Sequence, residues 1–186
     1  AVAHPIVFRR IEDARAANPE LRIIVIDPRR SETAEIADLH LPLKPGTDIA
    51  LYMGLLHVLL AEELVDRDYI TAHTEGFAAL EESVAAYPPA VVAEICALAE
   101  AEIVQAARWF GKAAAALSLY CQGLNQSAHG THNNAALIHL HLATGQIGRP
   151  GAGPFSLTGQ PNAMGGREVG GLANLLSAHR DLANPE

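Results

Sequence analysis

Short apolar, β-branched runs alternate along the chain with longer segments of helical periodicity. Residues 21–26 contain a single charge, Arg22, and predict a parallel strand buried on both faces. Residues 116–121 predict a second buried strand, and residues 39–43 a short extended piece. We therefore predict an α/β fold with a mostly parallel sheet, flanked by helices, that contains 21–26 and 116–121.

Seven helical segments are predicted between and around these strands. Thr47 is the expected N-cap of the third, which is apolar nearly all round and should be deeply buried. His57 lies in that helix and is expected to be a hydrogen-bonded core histidine rather than a metal ligand. Residues 122–131 are predicted to be a polar loop. The predicted helices are 5–18, 31–38, 48–63, 66–87 with a break at Gly76, 91–97, 100–112 and 131–144.

The last third of the chain differs in composition from the rest. Residues 145–171 contain nine glycines and three prolines. Gly145 suits the left-handed position after a helix. We expect one long ordered glycine-rich loop, because glycine lets the backbone approach a ligand closely and leaves many N–H donors accessible. A flexible linker is the alternative, but such a linker would be richer in Ser, Glu or Lys.

Composition narrows the class of protein. Hydrophobic residues make up 49% of the 186 residues and charged residues 18%, which is typical of a globular chain, and we expect a single domain spanning 1–186. The net charge is −8 and Lys and Arg form no cluster, which argues against a nucleic-acid partner. No apolar run reaches the roughly 18 residues of a membrane span. The termini indicate a segment of a longer protein.

Few residues suit a metal. The two cysteines, Cys96 and Cys121, cannot form a zinc or iron–sulfur site alone and are expected to be reduced thiols. His129 and His132 lack a third ligand within reach by sequence. We therefore expect no metal site built by this chain.

Two motifs place acids where nucleotides bind in open α/β sheets. The first strand ends in Asp27-Pro28-Arg29-Arg30, where a carboxylate could accept hydrogen bonds from ribose or guanine and the arginines could pair with phosphate. The second is Lys44-Pro45-Gly46-Thr47-Asp48 at a helix start, where an acid should face a base edge rather than a diphosphate. A simple strand terminator and a simple helix cap remain the alternatives.

Two further motifs are polar and rich in glycine. Cys121-Gln122-Gly123-Leu124-Asn125-Gln126 follows a predicted strand, and its amides can bond to heterocycle edges. The glycine-rich loop lacks the ending of a phosphate-binding P-loop, and the chain has no strand–GxGxxG–helix unit. The sequence therefore argues against a classical binding site for ATP, NAD or FAD.

The succession IDPRR, KPGTD, CQGLNQ and HLATGQIGRPGAGPFSLTGQPNAMGGREVGG resembles the molybdopterin oxidoreductases of the dimethyl-sulfoxide-reductase family. Within that family the chain is most similar to bacterial assimilatory nitrate reductases. The resemblance covers essentially the whole chain and corresponds to an internal part of a much longer catalytic subunit. It implies a Rossmann-like fold and a cytoplasmic enzyme that reduces nitrate to nitrite by two electrons.

The resemblance also implies the cofactor, which is molybdenum bound by two molybdopterin guanine dinucleotides. It implies that Arg167 lies near the molybdenum and faces nitrate, a planar anion that suits a guanidinium fork. The glycine-rich segment 145–171 would line the active site. The implied cofactor contacts are Asp27, Pro28, Arg29, Arg30, Ser31, Gly46, Thr47, Asp48, Gln122, Gln126, Thr158, Gly159 and Gln160.

Other parts of the family pattern are missing from this chain. The cysteine cluster for a 4Fe–4S centre and the residue that binds molybdenum would lie elsewhere in the parent, and Cys121 does not match that ligand position. The isolated chain should therefore be inactive. Its expected partners are nitrate, the rest of the parent polypeptide and an electron donor that the sequence does not identify. The alternatives are a formate dehydrogenase, a periplasmic nitrate reductase or a non-catalytic structural homologue.

Overall fold

A computed structural model describes residues 3–157, 159, 163–171, 175–181 and 183. Over these residues the chain forms ten α-helices, four short strands and one 3-10 turn at Ser177–His179. The elements are α1 (Pro5–Ala17), β1 (Ile24–Ile26), α2 (Glu32–Glu35), β2 (Leu39–Leu41), α3 (Asp48–Ala61), α4 (Arg67–His73), α5 (Phe77–Val84), α6 (Pro89–Cys96), α7 (Glu100–Lys112), β3 (Leu117–Tyr120), α8 (Gln122–Asn125), α9 (Gly130–Ala143), β4 (Gly153–Ser156) and α10 (Ala163–Glu168).

The strands form two parallel pairs. β1 pairs with β2, with Val25 opposite His40, and β3 pairs with β4, with Leu119 opposite Phe155. The prediction of an α/β fold with parallel strands is confirmed. The expectation of one sheet containing both 21–26 and 116–121 is wrong within the described residues. These residues form two separate two-stranded sheets, β1 with β2 and β3 with β4.

Helix α3 is the centre of the hydrophobic core, as its all-round apolar sequence predicts. It packs against α5, α6, α7 and α9, and between residues 51 and 60 only Met53, His57 and Leu60 are partly exposed. Leu51 and Leu59 are fully buried. At Gly54 the approach of α6 is so close that an added Cβ would lie 2.7 Å from a methyl carbon of Val92. The core is thus a helical layer built around α3.

Local polar contacts fix the entry into β1. The Asp38 carboxylate accepts two hydrogen bonds from the Arg15 guanidinium of α1, at 3.0 and 2.7 Å, and a third from the Ile23 N–H at 2.8 Å. Because Ile23 is held by this side chain, the regular ladder begins at Ile24. The strand is accordingly shorter than the predicted 21–26.

The predicted polar loop at 122–131 is wrong in part. Residues Gln122–Asn125 form the single turn of α8, and its side chain Leu124 is buried. α9 begins at Gly130 with His129 as N-cap, so the prediction that Thr131 caps this helix is wrong by two residues. The buried leucine explains the turn, since QGLN has no periodicity that would indicate a helix.

The glycine-rich segment is not one irregular loop. β4 and α10 lie within it, because the β3 edge offers a partner to Gly153–Ser156. Gly145 has a φ of +62°, as predicted for the residue that ends α9. The next side chain, Gln146, is buried; it accepts a hydrogen bond from the Ala116 N–H at 3.1 Å and donates one to the Ala113 carbonyl at 3.1 Å. The start of β3 is therefore held by the end of α9.

Among the helices that the structure describes, none has both the length and the apolar character needed to cross a lipid bilayer.

Candidate cofactor-binding site

Asp27 lies half-buried at the carboxyl end of the β1–β2 pair. Its backbone N–H donates to the Leu41 carbonyl at 3.3 Å, and its carbonyl oxygen lies 2.9 Å from Nε2 of His40. Its carboxylate accepts the Arg29 N–H at 2.8 Å, which turns the chain away from the strand. The sequence predicted Asp27 as a site residue but gave no indication of His40, because the contact of His40 with Asp27 depends on the pairing of β1 with β2.

The residues after Asp27 present positive charge to solvent. Arg29 and Arg30 are exposed, as is Pro28, and neither guanidinium forms an ion pair within the described part of the chain. Ser31 takes the N-cap position of α2 without a side-chain capping bond. Both arginines are therefore available to an anionic group.

The turn before α3 is held in place by the end of α6. The Lys44 N–H donates to the Cys96 carbonyl at 2.8 Å, and the buried Cys96 thiol lies 3.6 Å from the Thr47 carbonyl. Thr47 occupies the N-cap position, as predicted, but its hydroxyl donates to the Lys44 carbonyl at 2.6 Å instead of capping α3. Gly46 has a φ of +84° and open space where a Cβ would be. The first N–H groups of α3 thus have no side-chain cap.

Asp48 is the first residue of α3 and is half-buried. Burial raises the pKa of the Asp48 carboxyl above its usual value, against the lowering effect of a backbone hydrogen bond. The pKa of the buried Tyr52 is raised first by desolvation, then by the nearby Asp48 and Tyr120. Asp48 and Tyr120 therefore both lie near Tyr52.

The exits of β3 and β4 also converge. The Leu157 N–H donates to the Tyr120 carbonyl at 2.7 Å, and the Cys121 thiol donates to the Leu157 carbonyl. The Gln122 side-chain amide lies against Gly159, in the space that a Cβ on residue 159 would take. Gln122 and Gln126 are both exposed. The structure therefore brings Gln122 and Gly159 together, whereas Thr158 and Gln160 lie outside the described residues.

An asparagine pair beside this exit was not predicted. The Asn125 amide donates to the Ser156 hydroxyl at 3.0 Å, and the Asn134 amide donates to the Asn125 side-chain oxygen at 3.1 Å. An open groove of about 480 Å³ runs along this edge of α9, between Asn125 and Ile138. The amide-rich stretch from 125 to 134 is the signal that could have pointed to it.

Arg167 lies in the last turn of α10 rather than in an irregular loop. The helix packs against the 3-10 turn Ser177–His179. Arg167 and its neighbour Glu168 are both exposed, and neither forms an ion pair in the described ranges. No described hydrogen bond joins Arg167 to Asp27, Asp48 or Gln122.

The part of the chain that the structure describes contains no group of three or more His, Cys, Asp and Glu side chains that could hold a metal ion. Both cysteines are free thiols, as expected. The candidate site consists instead of carboxylates, free guanidiniums, amides and exposed backbone at the ends of parallel strands. Ligands of open α/β sheets bind in that position.

A family model of molybdopterin oxidoreductases matches residues 1–184. The chain therefore belongs to the molybdopterin oxidoreductase family.

Individual relatives agree with this assignment. A nitrate reductase of Synechocystis sp. is 48% identical over 186 residues, which is 100% of this chain and 26% of that protein. The F420-dependent formate dehydrogenase 1 subunit alpha of Methanococcus maripaludis is 40% identical over 98% of this chain and 27% of its own length. The structure of acetylene hydratase from Pelobacter acetylenicus matches 76% of this chain and 20% of that chain, with a TM-score of 0.70 and 33% identity. The chain thus spans about a quarter of the length of these relatives.

Proposed function

We propose that these residues form the part of a larger molybdenum oxidoreductase that binds molybdopterin guanine dinucleotide, and that the whole enzyme reduces nitrate to nitrite in the cytoplasm. The observation that supports this most directly is the position of Asp27 at the carboxyl end of a parallel strand pair, followed by the exposed Arg29 and Arg30, which form no ion pair among the described residues. The similarity to a nitrate reductase over the full chain supports the choice of substrate.

Asp48 is the proposed contact for a guanine base. Guanine offers two adjacent donors, N1–H and N2–H, and a carboxylate can accept from both. The Asp48 carboxylate is partly desolvated, as its raised pKa indicates, and it forms no described ion pair. A hydrogen-bonded guanine edge would replace the water that it has lost, which strengthens a charge-assisted bond.

The turns at Asp27 and Gly46 are the proposed nucleotide cradle. Arg29 and Arg30 are free to pair with phosphate oxygens, and Asp27 can accept from a ribose hydroxyl. The uncapped N–H groups of α3 favour an acceptor of partial negative charge. Gly46 leaves its backbone open to close approach, with Pro28, Ser31 and Thr47 completing the two turns.

The β3 exit is the proposed contact for the pterin. Gln122 and Gln126 can each donate and accept, which matches the mixed edge of a pterin heterocycle. The side-chain amide of Gln122 lies against Gly159, so both residues can contact the same group. Thr158 and Gln160 flank Gly159 in sequence, and we propose that they belong to the same contact.

Arg167 is the proposed nitrate-binding residue. Its guanidinium has no described carboxylate partner, so its donors are free for a planar anion, which can accept two parallel N–H bonds. Bound molybdenum would supply the two-electron redox chemistry. The metal ligand, the second dinucleotide's remaining contacts and a 4Fe–4S centre would come from the rest of the polypeptide, and the electron donor is a separate partner.

A formate dehydrogenase is the second candidate, favoured by the 40% identity to the Methanococcus maripaludis subunit over 98% of this chain. Formate and nitrate are both planar anions, so an arginine such as Arg167 suits either. The cofactor contacts proposed above are the same for both enzymes.

The test uses the complete polypeptide, expressed in a host that makes molybdopterin cofactors. Acid hydrolysis should release guanine nucleotide, and a reduced viologen should drive the conversion of nitrate to nitrite without measurable formate oxidation. Formate oxidation without nitrate reduction would select the second candidate. Purified, folded protein that contains neither guanine nucleotide nor molybdenum would refute both.

A further inference from the structure

The side chain of Gln146 lies between the segments that lead into β3 and β4. It is only 2% exposed, and its amide joins two backbone groups: Oε1 accepts from the Ala116 N–H and Nε2 donates to the Ala113 carbonyl, each at 3.1 Å. Buried backbone groups require a partner, and a side-chain amide can accept and donate at once. Gln146 therefore takes the place of a neighbouring strand for residues 113–116.

The chain after Gln146 binds Ala116 a second time. The Gly153 N–H donates to the Ala116 carbonyl at 2.9 Å, so Ala116 is bound on one side by Gln146 and on the other by Gly153. A Cβ added to Gly153 would lie 3.5 Å from the backbone carbonyl oxygen of Gln146. Residues 146–153 thus close on Ala116, and this closure brings the first residue of β4 to one point on β3.

Arg149 adds a weaker contact to the same loop. Its guanidinium donates to the Ala114 carbonyl at 2.8 Å. Arg149 is exposed, so water can replace this hydrogen bond, whereas the Gln146 amide is shielded from water. Gln146 is therefore the contact whose loss leaves buried polar groups without partners.

The register of β4 depends on such a contact, because the sequence of the strand specifies it weakly. Gly153–Ser156 reads GPFS, in which Pro154 has no N–H and Phe155 is 56% exposed. Strands that contain glycine and lack a well-buried face slip readily. A slip by one residue would move the end of β4 by about 3.3 Å along β3.

The far end of the strand pair holds the proposed pterin contact. There the Leu157 N–H donates to the Tyr120 carbonyl at 2.7 Å, and Gly159 lies two residues further on, against the Gln122 amide. We propose that Gln146 is a positioning residue for the pterin, because its buried amide sets the register of β4 on β3 and thereby places Gly159 beside Gln122. This inference rests on the proposed function for the identity of the group that is bound there.

The register is tested by hydrogen exchange of the complete native polypeptide, read by peptide mass spectrometry. Gln146→Met keeps the length of the side chain but removes both hydrogen bonds, so amides of residues 153–157 should exchange about 10- to 100-fold faster. Gln105→Met makes the same chemical change at a half-buried position on α7 and should leave these rates unchanged. Unchanged exchange of 153–157 in Gln146→Met would overturn the proposal.

The positioning role is tested on the holoenzyme by the electron paramagnetic resonance signal of half-reduced molybdenum. Gln146→Met should keep its guanine nucleotide, whose proposed contacts are Asp27 and Asp48, but should shift the signal, because the pterin that holds the metal is displaced. Val84→Ala truncates a fully buried side chain of α5 and should lower stability without shifting the signal. Faster exchange of 153–157 with an unshifted signal would mean that Gln146 is only structural and would overturn the proposal.

A milder variant covers the case in which Gln146→Met does not fold. Gln146→Asn keeps the amide but is one methylene too short to reach both Ala113 and Ala116, so the same two changes are expected from it. A folded parent that contains no molybdopterin would refute the proposed function and, with it, the pterin role of Gln146. A parent that contains molybdopterin and shows no shift in the variants would refute this inference alone.

Discussion

The helical core and the glycine-rich last third hold their candidate residues in different ways. Asp48 begins α3, which packs against four other helices, and the turn before α3 is hydrogen-bonded to Cys96. Arg167 lies on a six-residue helix that packs against a single 3-10 turn and is exposed. The first region positions its residues through burial, whereas the second has few buried contacts among its described residues and depends on strand pairing with β3.

The largest expected effect tests this difference in packing. Leu59→Ala removes a fully buried side chain from α3 and should lower the free energy of unfolding by about 3–5 kcal/mol, from lost burial and a residual cavity. Val169→Ala, at a position 70% exposed after α10, should change it by less than about 0.5 kcal/mol. Urea unfolding of the chain measures both. Similar losses for the two variants would show that the regions are equally packed.

Arg167 tests whether the less buried region has a chemical role. In the complete enzyme, Arg167→Ala should retain molybdenum and guanine nucleotide but lower nitrate turnover by about 10²–10³, the typical effect of removing a positioned donor. Arg167→Lys should restore only part of it, because an ammonium lacks the bidentate fork. Steady-state kinetics beside cofactor analysis provide the measurement.

Glu168→Ala is the control for Arg167. If Arg167 binds substrate, loss of its neighbour should leave kcat/KM close to normal. If the two side chains instead stabilise each other in the whole enzyme, both variants should lose cofactor or unfold together. A normal kcat/KM in the Arg167→Ala enzyme would exclude Arg167 as a substrate-binding residue.

Sequence patterns predicted those features that depend on neighbours along the chain. The strand at 24–26, the helix α3 and the turn at Asp27 follow from local periodicity, proline and an acid at a strand end. The left-handed Gly145 was predicted for the same reason.

Features that depend on distant partners were not predicted. Residues 153–156 contain glycine and proline and have no strand pattern, so β4 exists because β3 offers it an edge. Asp48 and Tyr120 both raise the pKa of Tyr52, although Tyr120 follows Tyr52 by more than 60 residues in the sequence. Single contacts such as His40 with Asp27 likewise need the fold before they can be found.

His141 of α9 lies within hydrogen-bond distance of Ser118 on β3, and its titration should make this contact sensitive to acid. Desolvation lowers the pKa of this buried imidazole to about 4 from 6.5. Between those values the unfolded state binds more protons, so stability falls as the pH drops through that range, by roughly 2–3 kcal/mol in all. Urea unfolding between pH 4 and 7 should show this slope.

Two variants distinguish the contribution of His141 to the pH dependence of stability from the contribution of carboxylates, which also titrate in acid. His141→Gln should reduce the slope of stability against pH between 4 and 6.5, since an amide does not titrate there. His129→Gln, at an exposed position, should keep the slope of the parent chain. Identical slopes for both variants would exclude His141 as the source.

Asp48 tests the central proposal, which is that this segment binds a guanine dinucleotide. Because the pKa of Asp48 is raised, ionisation of its carboxyl destabilises the folded chain when the pH is above 3.8, the ordinary pKa of an aspartate. At lower pH this destabilisation disappears. Asp48→Asn should therefore make the cofactor-free chain slightly more stable at neutral pH. It should also weaken guanine binding by about 10- to 100-fold, because an amide replaces the charged acceptor.

The most direct measurement is the guanine nucleotide released by acid per complete polypeptide, for Asp48→Asn and for Asp68→Asn. Asp68 also lies in the first turn of a helix, but on α4, and is exposed. The account predicts that Asp68→Asn keeps the nucleotide content of the parent and that Asp48→Asn loses most of it while remaining folded. Full nucleotide content in the Asp48→Asn protein would contradict the account.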